Sequence, residues 1–251
     1  MGLLFARLMR YFTAIVLLAV SMLAIPAQAY VLPADYILRL MLDVQAKHKI
    51  KDASLKLTSE VRGQPQASSE RLYIKTPERL RLLGEDESAE LYVEREGTRA
   101  EGSADSLERL KTLPTNLLAS LRFPKGDKSD ERIERLLGLL AQVGVDTSVT
   151  ALGRFDNESV YIIGARPFET ESPQIWVGKD RLQPVKTVLF TGPGATGDRV
   201  EYRFLDYGGS SAGGWFPGII ELWIGDQLVK KQTVAEARTN QDLPETLFEV
   251  P

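Results

Sequence analysis

The sequence predicts a mainly β, α+β fold: roughly eleven antiparallel strands that must curl or split into two sheets, with a helical insert over an open face. Three observations predict it. Period-two alternation of apolar and polar residues dominates the chain after its N-terminal segment. The links between the alternating runs are too short for parallel crossovers and rich in Gly, Asn and Asp, which suits hairpins. One stretch with a helical period, about 103–144, interrupts the strands and is placed to cover an open face of the curled sheet.

The first 29 residues stand apart from the fold. Arg7 and Arg10 supply a positive n-region, "YFTAIVLLAVSMLAIP" an apolar h-region, and "AQA" ending at Ala29 a small-x-small cleavage site. This is the pattern of a cleaved secretory signal peptide. The alternative is an uncleaved membrane anchor, for which the apolar run is short. Residues 30–251 then form a single exported domain, periplasmic in a bacterium.

Composition narrows the function classes. The chain has 31 basic and 34 acidic side chains; without Arg7 and Arg10 the balance is 29 against 34, a net charge of −5. That balance argues against nucleic-acid binding and against electrostatic docking on an anionic membrane. There is no cysteine, so an exported chain of this size depends on its core alone and has no residue to carry a lipoprotein's acyl anchor.

The elements follow in order. "PADYILRLMLDVQAKHK" has a helical stripe of Ile37, Leu40, Met41 and Val44, with Pro33 at its start. "ASLKLTSEVR" alternates, with Leu55, Leu57 and Val61 on one face. "ERLYIKTPERLRLL" reads as two strands broken at Pro77, and "AELYVEREGTRAEG" as a strand, a turn at Glu96-Gly97 and a return strand. The insert holds two helical stretches. The first is interrupted by Pro114. The second carries a stripe of Ile133, Leu136, Leu137 and Leu140, with Ser129 as cap, Asp130 and Glu131 in its first turn and Gly144 past its end. Seven strand-like runs follow, from "TSVTALGRF" to "QLVKKQTVAEA". In the tail "TNQDLPETLFEVP", Leu247 and Phe248 read as an anchoring contact.

No catalytic set emerges, and no cofactor or metal is expected. The single histidine, His48, ends the first helical stripe among lysines and reads as a surface residue. "GPGATGD", Gly192 to Asp198, has phosphate-loop glycines, but Asp198 stands where the lysine belongs and the segment links two strands. Glu85, Asp86 and Glu87 read as a solvated turn.

The run "WFPGIIELWI" is apolar on nearly both faces: Ile220, Leu222 and Ile224 on one, Ile219 and Trp223 beside Glu221 on the other. One face of a curled sheet can line a concave interior, and the other can pack or form an interaction patch. The alternative is that both faces are core.

Three stretches here resemble the LolA/LolB-like periplasmic lipoprotein carriers: "PQIWVGKDRLQPVKTVLF", "VEYRFLDYGGSSAGGWFPGIIELW" and "TNQDLPETLFEVP", the last through Asn240, Leu243, Pro244 and Phe248. "YIKTPERLRL" resembles the family's early "K-x-P" strand pair. The resemblance implies a LolA-like incomplete barrel whose helical lid closes an apolar cavity, and a carrier that shields the acyl chains of lipoproteins or lipids on their way to the outer membrane. It implies an inner-membrane release complex and an outer-membrane acceptor as partners, and a monomer. The expected cavity contacts are Leu117, Leu118, Leu136, Leu137 and Leu140 on the helices and Trp176, Phe190, Phe204, Ile220 and Leu222 on the sheet; for each leucine the alternative is a helix stripe packed on a sheet. Thr76 precedes Pro77 where the best-known carriers have a lid-latching arginine, which puts that latch in doubt. Related folds also serve as envelope-stress regulators, the RseB-like proteins. On that alternative the chain is a sensor, with Ile219 and Trp223 as its partner patch. A lipid hydrolase is a third reading and would need a nucleophile near His48.

Overall fold

The computed structural model describes residues 31–75, 79–84, 89–93, 97–101, 129–192 and 195–249. The expected signal peptide, the first half of the helical insert with Leu117 and Leu118, the Thr76-Pro77 pair and the Glu85–Glu87 turn lie outside the described residues.

The chain opens with helix α1 (Ala34–Ala46), followed by strands β1 (Asp52–Val61), β2 (Ser68–Lys75), β3 (Arg79–Leu83), β4 (Ala89–Val93) and β5 (Gly97–Glu101). Helix α2 (Ser129–Gln142) comes next. Then follow β6 (Thr150–Phe155), β7 (Glu158–Ile163), β8 (Gln174–Gly178), β9 (Pro184–Gly192), β10 (Thr196–Leu205), β11 (Ile219–Ile224) and β12 (Gln227–Thr239), and a 3-10 turn at Glu245–Phe248.

The strands form one antiparallel sheet of twelve, in the order β5-β4-β3-β2-β1-β12-β11-β10-β9-β8-β7-β6. The chain starts at the centre of the sheet, walks outward to one edge, crosses to the other edge through the segment that carries α2, and walks back to end beside β1. Since β5 and β6 are not paired with each other, the barrel is incomplete.

The sheet is curled. Leu80 and Leu82 of β3 near one edge and Tyr161 and Ile163 of β7 near the other belong to a single buried cluster with both helices. A flat sheet of this many strands would be about 50 Å wide, at roughly 4.8 Å per strand, and its two sides could not share one core.

The sequence pattern explains most elements. Asp156 and Asn157 both adopt positive φ, 48° and 64°, which a two-residue hairpin turn between β6 and β7 requires. The Gly192–Asp198 stretch joins the antiparallel strands β9 and β10, as a hairpin connection. In α1 the buried stripe is rotated from the expected one. Ala34, Ile37, Leu38, Met41, Leu42 and Gln45 are buried, while Leu40 and Val44 are only half-buried. Ala34, Leu38 and Leu42 form an i, i+4 row beside Ile37 and Met41, and that pair of rows is what meets the sheet.

The C-terminal tail straps the outside of β1 to β3. The buried Asp52 carboxylate accepts from the backbone N–H of Gln241 at 2.7 Å, and Asn240 Oδ1 accepts from the N–H of Lys51 at 2.8 Å. Lys75 pairs with Glu245 at 2.6 Å, and Arg81 donates to the carbonyl of Leu247 at 2.9 Å. Phe248 is buried beneath this strap. Phe248→Ala is expected to cost about 3 kcal/mol in urea unfolding, the usual loss for a buried phenylalanine; a change within about 0.5 kcal/mol, as at an ordinary surface site, would remove the tail from the fold's stability.

Candidate functional site

The inner face of the sheet and the two helices make the candidate site. From α2, Leu136 and Leu140 are buried in the common cluster and Leu137 packs at its margin. From the sheet, Phe204, Ile220 and Leu222 join them. α1 adds Ile37, Leu38 and Met41. The helices are tied to each other by Arg39, which pairs with Asp130 at 2.9 Å and donates to Ser129 Oγ at 3.2 Å. Both helices share the apolar cluster with the sheet.

Two of the expected cavity residues lie elsewhere. Ile175 and Val177 of β8 face the inner cluster, so Trp176 between them points outward. It packs edge-on to Phe155 at 6.0 Å and donates to Gln174 Oε1 at 2.7 Å. Phe190 is paired with Arg199 of β10, one residue out of step with the inward pair of Leu189 and Val200. On strands that are apolar on both faces, composition alone does not reveal which face is inner. Ile219 and Trp223, alternating with Ile220 and Leu222, are half-buried on the outer face.

The loop between β10 and β11 contributes more than the turn its glycines suggest. Tyr207, Ala212, Trp215 and Phe216 fold back into the inner cluster, with Trp215 and Phe216 ring to ring at 5.3 Å. The Tyr207 hydroxyl donates to the carbonyl of Pro184 at 2.7 Å. The aromatic pair after "GGSSAGG" was the available signal. Within the cluster Tyr202 is fully buried, and burial pushes its hydroxyl pKa far up.

Among the described residues, cavities of about 260, 250 and 530 Å³ are lined by residues outside α1 and α2. His48 sits half-buried in the turn after α1. Among the described residues no group of His, Asp and Glu is arranged to hold a metal.

The outer face carries a charge cluster centred on Glu201, which is 2% exposed. Arg199 and Arg203 both donate to its carboxylate, Arg203 at 2.6 Å, and Lys186 stands at 3.5 Å. Lys186 also lies over the Trp176 ring, 3.9 Å from its centroid, and Arg203 over Trp223 at 4.3 Å. Burial holds the Lys186 pKa below its ordinary value, against the pull of Glu201. Burial alone would raise the Glu201 pKa, but the Arg203 hydrogen bond, the Lys186 charge and the Arg199 hydrogen bond together hold it below the usual carboxylate value.

No family model and no curated protein matches the chain. Solved structures do. A LolA superfamily protein from Nitrosomonas europaea is similar at 12% identity and a TM-score of 0.49, over 88% of this chain and 99% of that one. A DUF1329 family protein from Desulfovibrio piger is similar at 13% identity and 0.45, over 86% and 97%. A chain of the Pseudomonas aeruginosa MucA/MucB complex is similar at 12% identity and 0.32, over 85% and 61%.

The Glu201 cluster yields a signed pH effect. A carboxylate whose folded pKa is depressed stabilises the fold above its unfolded pKa and loses that contribution as pH falls through the folded value. Glu201→Gln, which leaves three cations facing each other, is expected to cost about 3 kcal/mol at neutral pH. The gap to the unmodified protein should close in acid, below the depressed pKa. A gap that is absent at neutral pH, or constant down to strong acid, would contradict this reading of the cluster; denaturant melts across pH measure it.

Proposed function

We propose that the protein is a periplasmic carrier that takes acyl chains of lipoproteins or lipids beneath its helical roof and delivers them towards the outer membrane. One observation carries the reading: both helices meet the inner face of an open barrel through aliphatic side chains in one continuous cluster. Such contact is non-directional. A chain of methylenes that lifts the roof replaces leucine side chains in kind. Leu136, Leu137 and Leu140 on the roof and Phe204, Ile220 and Leu222 beneath it are the proposed cargo contacts, together with Leu117 and Leu118 of the insert.

Magnitudes favour an enclosed site. Each buried methylene is worth about 0.8 kcal/mol, so a palmitoyl chain represents roughly 12 kcal/mol of gross transfer. An open polar groove cannot compete with a membrane for such a chain, whereas a closable apolar one can. No covalent step is required.

The outer face supports a second reading. Trp223 is half-buried there, with Arg203 over its ring and its indole N–H donating to Glu221 at 2.9 Å. With Ile219 it is the candidate patch for a protein partner, whether a release complex, an acceptor or the target of an RseB-like sensor.

Native mass spectrometry after gentle purification tests the carrier. The expected result is co-purified lipid or lipoprotein, or uptake of an added acyl probe by the delipidated protein, weakened about tenfold or more by Leu136→Gln, which puts an amide among the aliphatic contacts. A ligand-free monomer that takes up no acyl probe sinks the proposal.

A further inference from the structure

The inner face is not uniformly apolar. Towards the β1–β2 hairpin, Ser59, Glu70, Lys230 and Gln232 interrupt the leucines. Register places all of them inward. Glu70 pairs with Leu57, Lys230 with Leu222, and Gln232 with both Ile220 and Ser59. Leu57, Ile220 and Leu222 belong to the inner cluster.

The group is deeply placed. Lys230 is 6% exposed and Gln232 2%. Lys230 Nζ donates to Glu70 Oε1 at 2.7 Å, and Gln232 Nε2 donates to Glu70 Oε2 at 2.5 Å. The Ser59 hydroxyl is fully buried and makes no hydrogen bond. Such a group is weak evidence of a device for stability, because well-packed apolar residues commonly do as well as a buried ion pair. An orphaned buried hydroxyl is a net cost.

The group is rich in donors. An ammonium carries three donor hydrogens, an amide two and a hydroxyl one. Glu70 takes one from Lys230 and one from Gln232. Of these donors, the Ser59 hydroxyl is the one left without an acceptor. A ligand carboxylate that displaces Glu70 exchanges one anion for another beside Lys230, so the charge of the dry interior is unchanged. An amine would place a second cation there, and a neutral alcohol would leave Lys230 without a counter-ion.

We propose that Ser59, Lys230 and Gln232 form a headgroup anchor for the carboxylate end of an acyl ligand, with Glu70 as the internal carboxylate that keeps the site occupied until the ligand arrives. The ligand's chain then runs over Leu57, Ile220, Leu222 and Phe204. The inference rests on the carrier reading and narrows its cargo to a free fatty acid, since an acyl chain esterified or amide-linked in a lipoprotein carries no carboxylate.

The test compares probes with the same alkyl chain on the exported protein: palmitate, hexadecanol and hexadecylamine, by isothermal titration calorimetry. Palmitate is expected to bind at least about tenfold tighter than hexadecanol, the usual value of hydrogen bonds to a charged group. Lys230→Met should abolish that preference. Glu70→Gln, a weaker competitor for the same donors, should tighten palmitate binding. If Lys230→Met fails to fold by circular dichroism, the double variant Glu70→Gln/Lys230→Met, which buries no unpaired charge, gives the same readout. Equal affinity for palmitate and hexadecanol, a preference for hexadecylamine, or a Lys230→Met loss shared by all probes overturns the anchor while the carrier reading stands. Binding of none of the probes overturns both.

Discussion

One apolar face of a broad sheet has to be kept from water, and most of the structure follows from that constraint. The sheet has twelve strands, and the described helices available to cover it have 13 and 14 residues, each about 20 Å long at 1.5 Å per residue. They cannot roof a flat sheet of about 50 Å. Curling solves the mismatch, because it turns the two sides of the sheet towards each other and reduces the area to be covered. The β10–β11 loop then supplies Tyr207, Trp215 and Phe216 where neither helix supplies the covering side chains. The order of strands serves the same end. The edges, β5 and β6, are consecutive in the chain, so the segment between them has to pass from one side of the opening to the other, and it brings α2 with it.

The strands were legible in the sequence because a strand with one wet face declares itself by alternation. β1 is the plain case: Leu55 and Leu57 lie inward, and Lys56, Thr58 and Glu60 are exposed. Legibility fails where both faces are covered. Around Trp176 and Phe190 the outer face is itself occupied by rings and by the stems of Lys186 and Arg203, so an apolar residue there is no guide to direction. The stripe of α1 is ambiguous for a related reason: Ile37, Leu38, Leu40, Met41, Leu42 and Val44 are all apolar, and several stripes fit them. The inner polar group was available by counting from Val234, since Gln232 and Lys230 follow it at period two. A lysine in a solvated-looking strand does not advertise burial, because its usual place is outside.

A roof held by leucines has a functional consequence that a roof held by hydrogen bonds would not have. Breaking a directional contact leaves a buried donor or acceptor unpaired, at a cost of about 1–3 kcal/mol each. Separating aliphatic surfaces costs only the area exposed, and an incoming alkyl chain covers that area again. The interhelical link from Arg39 to Asp130 is compatible with this, because it joins one helix to the other and so lets them leave the sheet together. At 38% and 79% exposed, its two side chains contribute little to stability in either position.

The two faces of the sheet each bury a glutamate, and their surroundings separate structure from exchange. Glu201 on the outer face is 2% exposed and receives three cations, Lys186, Arg199 and Arg203. Any anion that displaced it would have to satisfy all three from outside a face walled by Trp176 and Trp223. Glu70 on the inner face has one cation and one amide, sits at the margin with its side chain 12% exposed, and lies next to a hydroxyl that has no partner. Displacing Glu70 breaks one ion pair, which a ligand carboxylate remakes, and provides the acceptor that Ser59 lacks. The first arrangement locks a sheet surface in place. The second costs little to exchange, and it stands where the alkyl contacts of the inner face come to an end, as a site for the polar end of a bound chain requires.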